Sequence, residues 1–359
     1  MQSGSKTHLG IVGRGAATNP GNRFERVQVS FDPLDEYFEP VDLKTDTLYF
    51  RDKSRSLITY NDSPDIGLSA SVNPYRGCSH GCAYCYARPT HEYLGFSAGL
   101  DFESRIMVKL DAPQLLRNEL ARRRWKPQIV MFSGVTDIYQ PAERQFELTR
   151  RCLEVFLDFR NPVSLITKNY LVTRDIDLLR ELAAWDCVSV ALSITTLDEK
   201  LRSLMEPRTS APGRRLKAVE MLASAGIPVG VMTAPVIPGL TDHEIPKLVQ
   251  AAADAGAGWV GFNIVHLPYG VKDLFLEWLE RHYPERKNKV VSRIKALRGG
   301  RLNDPRFGYR MTGEGIFAEQ IAQLHKAACK QAGLPRPGRK LTTEHFRVPG
   351  RAVQAGLFE

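Results

Sequence analysis

Residues 68–93 read "LSASVNPYRGCSHGCAYCYARPTHEY", a short β-rich run leading directly into a turn-rich loop. Three of the chain's six cysteines fall within eight positions of that loop: Cys78, Cys82 and Cys85. Gly77 and Gly81 permit tight turns and bring backbone N–H groups close to sulfur. The loop precedes the first long helical stretch. In an α/β fold, the loops that follow strand C-termini are where ligands bind.

Outward from this point the chain repeats one pattern. β-rich runs occur at 68–72 (LSASV), 129–133 (IVMFS), 163–167 (VSLIT), 188–194 (VSVALSI), 228–234 (PVGVMTA) and 259–265 (WVGFNIV). Most are nearly continuous in apolar residues, as strands buried on both faces are. Helical stretches lie between them. DAPQLLRNELARR has Asp111 as its expected N-cap and Pro113 in its first turn. AERQFELTRRCLEVFLDF and TRDIDLLRELAAW follow, then GRRLKAVEMLASAG and TDHEIPKLVQAAADAG, which end at Gly226 and Gly256, a common helix stop. Six strand–helix units imply parallel strands with right-handed crossovers. The residues alone fit either an open partial barrel or a doubly wound sheet.

The expected organisation has three parts. Residues 1–65 are rich in Pro, Gly, Asn and Asp, carry the acidic patch DPLDEYFEP, and are expected to be an irregular extension wrapping the main body. Residues 66–268 form the α/β core. Residues 269–359 form a helical extension, with the amphipathic stretches GVKDLFLEWLERHYPE and GIFAEQIAQLHKAACKQAG on either side of the basic loop RGGRLNDPRFGYR.

The net charge is +9, unevenly spread. From Arg281 to Arg351 seventeen Lys/Arg face five Asp/Glu, a local excess of +12. Such asymmetry suits a polyanionic partner or a solvated basic surface. An apolar content of 43% is that of a globular protein. No apolar run approaches the roughly 20 residues of a membrane span, and no apolar leader is visible at the start. A cytoplasmic location without membrane association is the expectation. Cysteines there are reduced, so a clustered triplet points to metal or chemistry rather than to disulfides. Cys152, Cys187 and Cys329 stand alone in apolar segments and read as core residues.

The motif is Cys-x3-Cys-x2-Cys. Its short spacing lets three thiolates converge on one small inorganic object. An iron–sulfur cubane normally takes four cysteines, so three leave one iron open to a ligand. The alternative is a zinc site completed by His80 or His91.

Cys78-x3-Cys82-x2-Cys85, with Tyr84 before the third cysteine, resembles the radical S-adenosylmethionine (SAM) superfamily. Within it, the chain is similar to the spore photoproduct lyase-like group through CAYCYARPTHEY, DFESRIMVK, SGVTDIYQPAE, LITKN, LSITT, EPRTSAPGRR and APVIPGLTD. The resemblance runs from about Pro74 to about Leu267. It implies a partial (β/α)6 radical-SAM barrel, a 4Fe–4S cluster on the three cysteines, and S-adenosyl-L-methionine as cofactor. It also implies reductive cleavage of that cofactor to a 5′-deoxyadenosyl radical, with a reductant such as flavodoxin or ferredoxin. The substrate is left open, with nucleic acid as one class.

The resemblance assigns site residues by position. Ser133, Gly134, Thr136 and Asp137 follow the second strand, where the superfamily contacts the methionine amino group; an ordinary turn capped by Asp137 is the plain alternative. Lys168 follows the third strand near the expected methionine carboxylate. Ser193 and Thr195 end the fourth strand as polar contacts. Arg208 would pair the carboxylate in bidentate fashion. Val236 and Ile237 would form an apolar floor near ribose and adenine. Tyr84 matches an aromatic beside adenine, and Tyr86 a tyrosine used in radical transfer. The DNA-repairing lyase also has a cysteine just after the second strand. MFSGVTDIYQ has none, so the repair chemistry does not carry over. Two functions compete: a radical SAM enzyme, and a non-catalytic, zinc-stabilised nucleic-acid-binding protein. Phe307 and Tyr309 among arginines would serve nucleic-acid binding through stacking and charge.

Overall fold

A computed structural model describes residues 13–24, 46–336 and 340–350. The acidic patch DPLDEYFEP lies outside the described residues. The strands in chain order are β1 (Leu48–Arg51), β2 (Ile58–Tyr60), β3 (Ala70–Val72), β4 (Tyr75–Arg76), β5 (Arg105–Val108), β6 (Val130–Phe132), β7 (Val163–Thr167), β8 (Val188–Ser193), β9 (Val229–Val236) and β10 (Val260–Ile264). The helices are α1 (Leu100–Ser104), α2 (Ala112–Leu120), α3 (Glu143–Phe146), α4 (Leu148–Phe159), α5 (Ile176–Ala184), α6 (Glu199–Met205), α7 (Pro212–Ser224), α8 (Ile245–Asp254), α9 (Val271–His282), α10 (Pro284–Leu297) and α11 (Ile316–Gln331).

All six expected runs form strands, and they pair in sequential order β3-β6-β7-β8-β9-β10. Every pairing among them is parallel, with Ala70 opposite Val130, Val130 opposite Val163 and Val163 opposite Val188. The order never reverses. Right-handed crossovers that all step the same way put every connecting helix on the same face of the sheet. A doubly wound sheet needs a reversal and is thereby excluded. The sheet ends openly at β10 and at β2, so it is a partial barrel without closure.

The helical face holds the larger core. Val72, Phe132, Leu165, Val190 and Val231 from the strands pack with Phe156 of α4, Leu182 of α5, Leu222 of α7 and Leu248 of α8. α7 and α8 stop at Gly226 and Gly256, both with positive φ, as expected. Asp111 stands at the start of α2 but caps no backbone N–H with its side chain; it pairs with Arg51 instead. The single helix expected over 142–159 breaks at Glu147 (φ 48°) into α3 and α4. The cause is Glu143, whose buried carboxylate accepts from the Thr149 N–H (3.0 Å) and so caps the first turn of α4.

Three additions were not legible as runs. β2 adds antiparallel to β3, with Ile58 opposite Val72. β1, β5 and β4 form a separate three-stranded sheet. Two of these elements, β1 and β2, lie within the segment expected to be irregular, and each is only three or four residues long. α10 continues almost directly from α9, with Pro284 in its first turn. Between α10 and α11, the basic loop reaches back to the far edge of the sheet. Asp65, in the turn between β2 and β3, pairs with Arg310 and accepts from the Gly308 N–H at 2.6 Å. Ser63 Oγ accepts from Arg310 as well, at 2.6 Å. No helix among the described residues is long and apolar enough to cross a membrane.

One close approach fixes the last two strands. A Cβ at Gly230 of β9 would lie 2.1 Å from the Trp259 indole, which enters β10. Gly230→Ala must therefore move the ring or split the pair, at a cost of about 1–3 kcal/mol. The urea-unfolding midpoint is expected to fall accordingly, and an unchanged midpoint would show that the Trp259 ring is not locked.

Candidate active site

The cysteine loop leaves β4 and is held from every side. Cys78 N–H donates to Phe102 O (2.9 Å), Ala83 N–H to Met205 O (3.0 Å) and Ser79 N–H to the Gln140 side chain (2.9 Å). Gly77 and Gly81 take left-handed φ of 79° and 68°, which only glycine adopts cheaply. A Cβ at Gly81 would lie 2.5 Å from Glu103 Oε2, and one at Gly15 would lie 1.7 Å from Gly81 O. Residues 13–24 thus lie against the loop as a strap. Cys78 and Cys82 are buried, and Cys85 is partly so.

Two residues of CYARPTHEYLGF, together with Glu103, do most of the holding. Arg88 is fully buried and donates to Cys82 O, Ala98 O and Gly99 O as well as to Glu103. Glu103, also fully buried, accepts from Gly15 N–H (3.1 Å) and Ala16 N–H (2.8 Å). The other residue, His91, packs between Phe96 and Phe102, with ring centroids 5.3 and 5.6 Å away.

Among the described residues, no three His, Cys, Asp or Glu side chains converge tightly enough to hold one metal ion. His91 is enclosed by phenylalanines, and His80 turns its Nδ1 to Asp137 (3.3 Å) and its Nε2 to Asn169 (3.2 Å). Burial alone would lower the His80 pKa, but Asp137 and Cys78 raise it to about 9. Cys78, Cys82 and Cys85 stand on one loop close enough to act on one another electrostatically, a donor set suited to a cluster of several irons.

A second group of polar residues gathers at the C-terminal ends of β7 and β8. Lys168 Nζ lies 2.8 Å from Ser193 Oγ, 3.1 Å from Ala234 O, 3.1 Å from Glu206 Oε1 and 3.2 Å from Thr195 Oγ1. Thr195 donates to Glu206 at 2.7 Å, and the Tyr84 hydroxyl reaches both. Glu206 is fully buried and also pairs with the buried Arg215. Burial pushes its pKa up, but Arg215 and then Lys168 hold it far below the usual carboxylate range. Arg215 in turn donates to Ser193 O at 2.8 Å and Ser210 O at 2.7 Å.

The structure thus brings Tyr84, Lys168, Ser193 and Thr195 together. Val236 and Ile237 share one apolar cluster with Cys82, Ala83 and Tyr84. Other expected residues have different tasks. Asp137 is consumed as a staple: it accepts from Thr167 Oγ1 (2.7 Å), Lys168 N–H (2.7 Å) and Tyr139 N–H (2.8 Å). This is the plain turn reading, extended across two strand ends. Ser133 donates to Thr136 O (2.8 Å) and has φ 140°, rare for a side-chain-bearing residue. Thr136 Oγ1 donates to Tyr75 O at 3.3 Å. The Tyr86 hydroxyl donates to Gly134 O, while its ring is 53% exposed. Arg208, expected to face a carboxylate ligand, instead donates to Gly13 O and Thr47 Oγ1, both at 3.2 Å.

Glu206 and Arg215 were not singled out from the sequence, although both stand in EPRTSAPGRR. They stand nine positions apart, and no local spacing signals that a carboxylate from a loop will be buried on a helix arginine. Arg88 and Glu103 escaped for the same reason.

Comparison with known proteins matches the family described as the Radical SAM superfamily to residues 72–252. An uncharacterised protein of Mycobacterium tuberculosis is 38% identical over 291 residues, covering 80% of this chain and 81% of that one. A Pseudomonas phage protein named radical SAM Nalpha-GlyT isomerase is 23% identical, over 81% of this chain and 59% of its own. Among solved structures, spore photoproduct lyase complexed with dinucleoside spore photoproduct superposes with a TM-score of 0.57 at 17% identity, over 80% of each chain. A mutant of that lyase with bound AdoMet and the same dinucleoside gives 0.56 over 82% of each. That likeness is one of fold. With the cysteine loop and the strands β6 to β9 inside the matched span, this chain belongs to the radical SAM superfamily and is an enzyme of that class.

Proposed function

We propose that Cys78, Cys82 and Cys85 hold a 4Fe–4S cluster with one iron left open, and that the Lys168–Glu206 group receives the amino-acid end of S-adenosylmethionine. When bound, the cluster and this cofactor supply one electron and a 5′-deoxyadenosyl radical, which takes a hydrogen atom from the substrate. The observation that carries the reading is Tyr84. It joins the two halves of the site, because its neighbours in sequence are on the cysteine loop and its hydroxyl is on Glu206 and Thr195.

The chain's own residues have separable roles in this reading. Lys168 supplies positive charge for a carboxylate. Glu206 stays ionised and offers an acceptor for an ammonium group, alongside Thr195, Ser193 and the Ala234 carbonyl. Arg215 prevents that carboxylate from being an isolated buried charge. Asp137 positions Lys168 through its backbone N–H. Val236 and Ile237 give an apolar surface for an adenine ring, with Tyr84 opposite. The Ser133–Asp137 turn presents backbone groups in a strained, fixed conformation. Tyr86, half in solvent and hydrogen-bonded to Gly134 O, is given the role of relaying a hydrogen atom in this reading.

Anaerobic reconstitution tests the cluster. About four irons per chain are expected, with loss of iron and of reductive 5′-deoxyadenosine formation in Cys78→Ala, Cys82→Ala or Cys85→Ala. His91→Ala should retain its iron. A colourless protein holding one zinc, released by His91→Ala, would establish the zinc-stabilised binding protein instead.

Lys168→Met separates cofactor binding from cluster loading. Loss of a charge-assisted contact predicts roughly tenfold or weaker affinity for S-adenosylmethionine, with iron content unchanged. Anaerobic equilibrium dialysis reads the first and iron analysis the second. Unaltered affinity would remove Lys168 from the cofactor site. For the substrate, 5′-deoxyadenosine formation stimulated by a cell extract, with and without nuclease, distinguishes nucleic acid from other classes.

A further inference from the structure

A cleft of ≈ 700 Å3 opens between the loop after β7 and the start of α7, with α3 at its rim. Its lining includes Arg144, Arg174, Arg208 and Arg214 and no acidic side chain. Arg174 is neutralised by Glu143 and Asp175, both at 2.8 Å. The other three have no carboxylate within ion-pair distance among the described residues. Arg208 meets only the Gly13 carbonyl and the Thr47 hydroxyl, and Arg214 lies over the Tyr170 ring, 4.3 Å from its centroid. Arg144 and Arg214 are exposed.

Three uncompensated guanidiniums around one concavity create a focused positive potential. Guanidinium forks match phosphate oxygens in pairs. An arginine stacked on tyrosine offers a flat face on which a planar base can stack. The volume is ample for one nucleotide unit. The cleft also borders the Lys168 group. Asn169, in its wall, directly follows Lys168 and is hydrogen-bonded to His80. From these features we infer that this cleft is a binding site for the phosphates of a nucleotide-containing ligand, with Arg144, Arg208 and Arg214 supplying positive charge to the phosphates and the Arg214 face stacked on Tyr170 as the surface for a base. The site stands on its own geometry and does not depend on the radical chemistry proposed above.

Isothermal titration of the full chain with inorganic pyrophosphate, a mononucleotide and a short oligothymidylate tests it. Saturable binding of one pyrophosphate per chain is expected. Arg144→Glu/Arg214→Glu should weaken it at least about tenfold, and Arg144→Gln/Arg214→Gln by less. Arg286→Glu/Lys289→Glu, an equal charge change on the exposed side of α10, should leave it within about twofold. Equal affinity for mononucleotide and oligothymidylate identifies a free nucleotide as the source of the phosphate. Much tighter oligothymidylate binding identifies a strand. Absence of saturable pyrophosphate binding, or equal weakening by both charge reversals, overturns the assignment. Iron content and S-adenosylmethionine affinity, measured on the same variants, keep a failure here distinct from a failure of the cluster site.

Discussion

Arg88 and Glu103 are fully buried and face each other beneath the cysteine loop. Burying two charges is unfavourable unless their remaining hydrogen-bonding capacity is filled. Here it is filled by backbone from three separate segments. The guanidinium takes the carbonyls of Cys82, Ala98 and Gly99, and the carboxylate takes the N–H groups of Gly15 and Ala16. One ion pair therefore sets the relative positions of the loop, the entry to α1 and the strap. Removing either partner would leave an uncompensated buried charge, a loss of about 3–5 kcal/mol in comparable cases. The positions of Cys78 and Cys82 follow from this constraint more than from any contact the cysteines themselves make.

The opposite side of the loop repeats the device. Ala83 N–H is held by Met205 O, and Tyr84 by Glu206, whose charge is balanced by Arg215 and Lys168. The sheet makes this possible. Because all its helices cover one face, the strand ends and the other face are left for polar groups. The polar groups there are fixed before any ligand arrives, which is the arrangement that lets charge act without reorganisation.

The strands of the core were legible because continuous apolar runs of five to seven residues, separated by helix-length stretches, have few other interpretations. Their parallel order followed from that alternation. The choice between an open barrel and a doubly wound sheet was not legible, because it depends on whether strand order reverses, and no residue encodes that locally. Within the site, Cys78, Cys82, Cys85 and Lys168 stood out by spacing or by position after a strand. Glu206, Arg215, Arg88 and Glu103 did not, because what distinguishes them is burial against a partner remote in sequence. Arg208 shows the converse. Its place in EPRTS implied a ligand contact through the family resemblance, and in the structure its side chain donates to Gly13 O of the strap and to Thr47 Oγ1.

The strap is itself held from outside. Ala16 packs with Leu100 and with Leu274 of α9, and Thr18 donates to Glu277 across 259 residues of chain. Arg281, still further along, points at Gly15 O. Residues 13–24 thus lie between a loop that follows them in the chain and a helix that comes much later, Thr18 and Glu277 being 259 positions apart. Until α9 has emerged, the strap has only one of its two walls, and the flank of the cysteine loop beside Gly15 and Gly81 is open. Docking of α9 and closing of the strap over the cysteine loop are consequently coupled, and any inorganic group destined for that loop meets a more accessible site before α9 docks than after it.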